Sequence, residues 1–491
     1  MTEADSRKRG VPNMTFRIEE ATIRQMQAAM TAGEISSRQL TVLYLERIAA
    51  YDKSGITLNS VLEINPDALY IAENLDLERA EGHVRGPLHG IPVLLKDNID
   101  TADKMHTSAG SQALADSFAP EDAFLAKRLR EEGAVPLGKA NMTEWANFMT
   151  TDMPSGYSSR GGQVLNPYGP GLHTPGGSSS GSAVAVAANL CAAAVGTETS
   201  GSILHPACHN SLVGIKPTLG LISRTGLIPI TYTQDTAGPL ARTVEDAAIL
   251  LGALAGEDPR DPATRPSRGR AYSDYTKFLD REGLKGARIG INRGYQGDFT
   301  KEEKGLIDRA IRAMKQAGAE IVEETNLHHV ADHSSVLLNE FKSALNRYFA
   351  SLGPQAPVKS LKDVIDFNNR NPRKMLKYGQ TWLLRAEYET SGTMTEPEYI
   401  RDRLKDWRMS REEGIDKLMD KHRLDALFCP GVTDSPAVAG YPAVMVPAGC
   451  RADGLPFGVS FVGKPYEEPA LLRFAYAFEQ AHPARVAPKL D

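Results

Sequence analysis

Apolar residues recur along this chain at helical spacing in some stretches and in short strand-length runs in others, and the two kinds alternate. Leu40, Leu43, Tyr44, Ile48 and Tyr51 make one helical face, with Ser36 or Ser37 placed to cap its N-terminus. A looser stripe over residues 18–32 carries Ile18, Ala21, Met26, Ala29 and Met30. The same spacing predicts helices over residues 68–80, 123–132, 243–255, 304–317 and 469–480. Runs of strand type stand at residues 91–95, 134–137, 287–292, 320–322, 426–428, 443–446 and 458–462. The small-residue run over 182–194 predicts one buried helix. Strand–helix alternation of this kind argues for an α/β fold, a parallel or mixed sheet covered by helices.

Residues 332–421 read as mostly helical and more polar, and the charged stretch 401–421 reads as a solvated helix face. No repeat and no linker of disordered composition divides the chain. The expected organisation is therefore a single domain, 1–491, with a flexible N-terminus over 1–15 and a helical insertion over 330–425 that forms a wall or lid. Of 491 residues, 41% are apolar and 24% charged, which excludes a disordered chain. The net charge of −5 lacks the basic excess of an electrostatic nucleic-acid binder, so a small, uncharged or mixed substrate is expected and no nucleic acid. The longest apolar window, residues 183–195, is interrupted by Asn189 and falls short of the roughly 18 residues a membrane span needs. Cys191, Cys208, Cys429 and Cys450 form no disulfide framework, and no secretory signal opens the chain. Both features point to a cytoplasmic protein with reduced thiols.

Three places carry candidate chemistry. The block Gly176-Gly177-Ser178-Ser179-Ser180-Gly181-Ser182 runs straight into an apolar stretch, so it is pinned at one end, unlike a flexible linker. Its G-x-S-x-G match centred on Ser179 lacks the preceding strand of a nucleophile elbow and reads as accidental. The second place is Gly196-Thr197-Glu198-Thr199-Ser200-Gly201-Ser202-Ile203, where small residues can aim several N–H groups at one developing negative charge. The third is Lys96, at the end of an apolar strand. By itself such a lysine reads as a surface cation. If buried, it would lose proton affinity and become available as a base. His205, Cys208 and His209 lie close together but match no familiar zinc spacing, so no metal is expected. No phosphate-binding or dinucleotide fingerprint is present, so no cofactor is expected either.

In order along the chain stand Gly90-Ile91-Pro92-Val93-Leu94-Leu95-Lys96-Asp97-Asn98, Gly138-Lys139-Ala140-Asn141-Met142, the Gly/Ser block, residues 196–207, Val213-Gly214-Ile215-Lys216-Pro217-Thr218 and Gln234-Asp235-Thr236-Ala237-Gly238-Pro239-Leu240-Ala241-Arg242. In these motifs the chain resembles the amidase signature family. The match is densest over 86–250 and weakest over 330–425. The resemblance implies a mixed, mostly parallel central sheet with helices on both faces. It implies a Ser–cis-Ser–Lys triad of Ser202, Ser178 and Lys96, with a cis bond between Gly177 and Ser178. Backbone N–H groups of Thr199, Ser200, Gly201 and Ser202 would form the oxyanion hole.

Two positions depart from the usual family text. Glu198 replaces an Asp and Ser200 a Gly, which resembles the bacterial peptide amidases; a Ser200 with positive φ would carry a steric penalty. The implied activity is hydrolysis of linear carboxamides to an acid plus ammonia or an amine, through an acyl-enzyme. Aryl amides, esters and carbamates share its tetrahedral intermediate. The protein would act on a small-molecule or peptide amide as a monomer or homodimer. The rival is a glutamine-hydrolysing component of a tRNA-dependent amidotransferase. Specificity is expected to come from residues 140–160 and the helical insertion.

Overall fold

In the computed structural model, residues 16–294, 299–327 and 334–490 are described. The expected flexible segment 1–15 lies outside them. Eleven strands form one sheet. Their spatial order is Val61–Ile64, Val135–Ala140, Pro92–Lys96, Ala193–Glu198, Thr236–Ala241, Val213–Lys216, Ala443–Cys450, Pro456–Val462, Ala426–Pro430, Arg288–Ile291 and Glu320–Val322. The central strands are buried along their whole length, because helices cover the sheet on both faces.

The sheet is mixed, as expected, but it is not mostly parallel. Four neighbouring pairs are parallel and six are antiparallel. Parallel neighbours occur where a helical crossover separates the strands, as between Pro92–Lys96 and Val135–Ala140. The strands Ala443–Cys450 and Pro456–Val462 are joined by a few residues, too short for a crossover, and so must run antiparallel.

Side-chain caps mark several helix starts. Ser36 caps the helix Ser37–Arg47 in a reciprocal pair with Gln39, and Thr22 and Gln25 do the same for Ile23–Thr31. Thr243 caps Val244–Leu254. The single helix predicted over 182–194 is instead a helix, Ser180–Ala187, followed by the strand Ala193–Glu198. Asn189 makes the break in a left-handed conformation (φ 56°), its side-chain amide bonded to Glu20. A run of small apolar residues carries no period that separates buried helix from buried strand.

Residues beyond 333 form the helices Ser334–Ser351, Leu361–Arg370, Thr381–Glu389 and Pro397–Ser410. Phe341, Leu345, Phe349, Leu361 and Leu383 from this segment join Met142, Trp145, Phe148 and Ile230 in a hydrophobic cluster separate from the main core. The helical segment is thereby packed against residues 142–153, at the edge of the cavity described next.

Candidate active site

Lys96 closes its strand with a parallel neighbour on each side. Its side chain is fully buried, contrary to the surface position that a lone terminal lysine suggests. The amine nitrogen donates to Ser178 Oγ at 2.8 Å, to Thr197 Oγ1 at 2.9 Å and to the Thr197 carbonyl at 3.1 Å. Asn98 Nδ2 donates to the same Thr197 hydroxyl at 3.0 Å, which fixes its orientation. Burial pushes the Lys96 pKa down to about 7, against the opposing pull of the more distant Asp235 and Glu198 carboxylates.

Ser178 follows a cis peptide bond from Gly177. Its carbonyl accepts from the Thr143 N–H at 3.1 Å. A Cβ at Gly177 would come within 2.7 Å of Thr143 Oγ1, so a side chain at 177 would push into the support of this bend. Ser179, the centre of the G-x-S-x-G match, is occupied elsewhere: its hydroxyl bridges the carbonyl and N–H of Thr197 at 3.1 and 3.2 Å. Ser202 sits beside the bend, its carbonyl accepting from the Ser179 N–H at 3.2 Å. The Ser202 hydroxyl lines the cavity, and no hydrogen bond joins it to Ser178 or to another described residue.

The turn from Thr199 to Ser202 is held from several directions. Gly201 takes the left-handed conformation (φ 74°), and Ser200 does not, so the serine in place of glycine carries no backbone penalty. Ser200 Oγ donates to Asp434 at 3.0 Å. Glu198, fully buried, accepts from the N–H groups of Ile203 and Leu204 at 2.7 and 3.0 Å, a reach that its extra methylene permits. Burial raises its pKa, with Lys216 opposing. The Gly201 N–H also faces this carboxylate. The N–H groups of Thr199, Ser200 and Ser202 make no hydrogen bond to another described residue. Thr199 is gripped twice, its hydroxyl by Asp235 at 2.6 Å and its carbonyl by Gln234 Nε2 at 3.2 Å.

A cavity of about 390 Å³ opens over Ser202, Thr199 and Ser200. Ala146, Asn147 and Phe148 line one side, and Leu337, Trp382 and Asp406 of the helical segment line another. Phe148 and Trp382 stack with ring centroids 5.7 Å apart and planes at 12°. The charged side chains of the lining are Asp406 and Asp434; no Lys or Arg is among the described ones.

The candidate metal trio does not converge. His205 and His209 pack ring against ring at 4.4 Å, and the Cys208 thiol accepts from the Gly458 N–H at 3.2 Å. Among the described residues no group of three or more His, Cys, Asp or Glu is placed to hold a metal ion.

The family model described as Amidase matches residues 39–438. The chain belongs to the amidase family. It is a hydrolase of carbon–nitrogen amide bonds, and its mixed sheet is that of the amidase signature enzymes. This amidase superposes on the native peptide amidase from Stenotrophomonas maltophilia with a TM-score of 0.91 and 48% identity, over 96% of this chain and 99% of that one. It is 43% identical to a protein named "Probable amidase" of Arabidopsis thaliana, over 97% of this chain and 92% of that one. A glutamyl-tRNA(Gln) amidotransferase component from Moorella thermoacetica is more distant, at 33% identity over 94% and 96% of the two chains.

Sequence alone does not mark Thr197, Asn98, Gln234 and Asp235 as site residues. All four stand inside the family motifs, Asn98 two residues after Lys96 and Gln234-Asp235 directly before a strand, and that placement is the available signal. No described helix of this amidase is long and apolar enough to cross a membrane.

Proposed function

We propose that this amidase cleaves linear carboxamides by a Lys96–Ser178–Ser202 proton relay and an acyl-enzyme on Ser202. The observation that carries this reading is the buried Lys96 amine, 2.8 Å from Ser178 Oγ, with its proton affinity lowered by burial. A neutral amine has two N–H groups and one lone pair. The Thr197 carbonyl must receive one N–H. The Thr197 hydroxyl, already tied to Asn98, receives the other. That leaves the lone pair for the Ser178 proton.

Rotation of the Ser202 hydroxyl toward Ser178 then completes the path. As Ser202 Oγ attacks the amide carbon, its proton passes to Ser178 Oγ, and the Ser178 proton passes to Lys96 Nζ. The developing oxyanion is placed to receive the free N–H groups of Thr199, Ser200 and Ser202, with Gly201 shaping the turn that presents them. On collapse the C–N bond breaks, Ser178 protonates the leaving nitrogen, and Lys96 returns its proton to Ser178. Water repeats the sequence in reverse and releases the acid.

The substrates proposed are C-terminally amidated peptides and related linear amides, with aryl amides, esters and carbamates as further candidates. The likeness to a peptide amidase supports this choice. The lower identity argues against the amidotransferase reading. The helical segment 330–425 is proposed as the wall that shapes the acyl pocket. The enzyme is proposed to act without a nucleic-acid partner, as a monomer or homodimer. A cytoplasmic location is proposed from four cysteines that stand as free thiols.

The test is ammonia or amine release by the purified chain from a panel of amidated peptides, aliphatic amides and anilides, with Ser202→Ala alongside. Turnover of amidated peptides that disappears in the variant supports the proposal. Full activity in Ser202→Ala ends it.

A further inference from the structure

Glu340 lies on the helix Ser334–Ser351, in the part of the chain where the family motifs are weakest, and its side chain is fully buried. A buried carboxylate is costly unless its oxygens are satisfied. This one accepts from the N–H groups of Tyr232 and Thr233 at 2.8 and 3.1 Å, from the Thr233 hydroxyl at 3.0 Å and from the Tyr399 hydroxyl at 3.0 Å. Tyr399 belongs to the helix Pro397–Ser410. Two helices of the cavity wall thus meet at one carboxylate, and that carboxylate holds one short loop.

The next two residues of the loop reach the oxyanion turn. Gln234 donates to the Thr199 carbonyl and Asp235 accepts from the Thr199 hydroxyl. Asp235 is itself fixed by the N–H groups of Ile230 and Thr231 at 2.7 and 3.0 Å and by the Thr231 hydroxyl at 3.0 Å. Each of its oxygens accepts two donors, so the loop is rigid at the point where it grips Thr199.

We propose that Glu340 is a positioning residue for the oxyanion turn, acting through the 230–235 loop to set where the Thr199 and Ser200 N–H groups point. The inference rests on the oxyanion role proposed for that turn. It assigns to the helical wall a second task beyond enclosing substrate: it keeps the turn pre-organised for the tetrahedral intermediate. Substrate bound in its ground state gains little from that alignment, so its loss acts on turnover.

The experiment compares Glu340→Ala, Glu340→Gln and Ser202→Ala in the full chain. It measures kcat and KM on an amidated dipeptide, the inhibition constant of the matching peptide aldehyde, and thermal unfolding. The aldehyde forms a tetrahedral adduct and so reports on the oxyanion turn directly. Glu340→Ala is expected to lower kcat by about 10–100-fold, the scale of a donor displaced by about 1 Å, with KM within about threefold. Aldehyde affinity should fall by the same factor as kcat/KM. Glu340→Gln keeps an acceptor oxygen for the two N–H groups and should recover most of the loss.

A Glu340→Ala protein that melts earlier but keeps wild-type kcat and aldehyde affinity would overturn the proposal, because the carboxylate would then be merely structural. If Glu340→Ala does not fold, Thr199→Val tests the last link of the same path, with the same expected split and the same overturning result. Loss of activity in Ser202→Ala together with an unaffected Glu340→Ala would reject the positioning role alone. Retained activity in Ser202→Ala would reject the underlying mechanism.

Discussion

Lys96 Nζ and Ser178 Oγ stand 2.8 Å apart, and among the described residues no carboxylate lies within ion-pair distance of that amine. A lysine in this setting is held by hydroxyls and a carbonyl, which serve a neutral amine as well as an ammonium. The more remote charges that face it, Asp235 and Glu198, pull its proton affinity up, but burial outweighs them. In the proposed mechanism only the neutral form accepts the Ser178 proton. The rate must therefore rise with pH through the Lys96 ionisation and level off above it. For an amide substrate, kcat/KM should climb about tenfold per pH unit below a midpoint near 7. Asp235→Asn removes an anion that favours the ammonium, so the midpoint should move to lower pH. An unchanged midpoint would show that the two groups are not coupled, and one that moves up would contradict the sign of the Asp235 contribution.

In the proposed mechanism Ser178 has separate duties toward the nucleophile and the leaving group, and substrates of different leaving ability separate them. Ser178→Ala should reduce amide hydrolysis on the order of 10²–10⁴-fold. An activated aryl ester departs as a stable anion and needs no proton, so its loss should be at least about tenfold smaller. Steady-state rates on a matched amide and ester pair check this. Equal losses on both would remove the leaving-group role.

Ser200 and Gly201 are neighbours whose backbone conformations differ, and opposite tolerance to substitution is expected of them. Ser200→Gly keeps the backbone donor and the conformation, so kcat should stay within about threefold while KM changes, because Ser200 lines the cavity and bonds Asp434. At Gly201 a Cβ would find ordinary space, its nearest neighbour Val432 Cγ1 at 3.5 Å. The penalty of Gly201→Ala is the left-handed backbone alone, about 1–2 kcal/mol, and should appear as a lower kcat with a shifted turn. Kinetics of the two variants side by side test the contrast.

The parts legible in the sequence were those with local causes. The helix Ala68–Ala80 and the strand Glu320–Val322 are legible to their ends, and Ser36 is legible as a candidate cap, because period, length and capping chemistry are all local. The family motifs carried the cis bond at Gly177–Ser178 and brought Lys96 together with Ser178. What the text could not show depends on neighbours distant in sequence. Lys96 looked like a surface cation, since nothing at residue 96 says that strands pair on both its sides. The break at Asn189 was hidden in a run of uniformly small residues. Glu340 was one acid in a polar helical stretch, and only folding brings the 230–235 loop onto it.

The central claim is the charge state of one amine. The most direct measurement is an NMR titration of lysine labelled with carbon-13 at Cε, with Lys96 assigned through Lys96→Ala. Protonation of Lys96 should be half complete near pH 7, well below an ordinary lysine, and its midpoint should coincide with that of kcat/KM. A Lys96 signal that remains that of an ammonium up to pH 9 while the enzyme is fully active would contradict the mechanism.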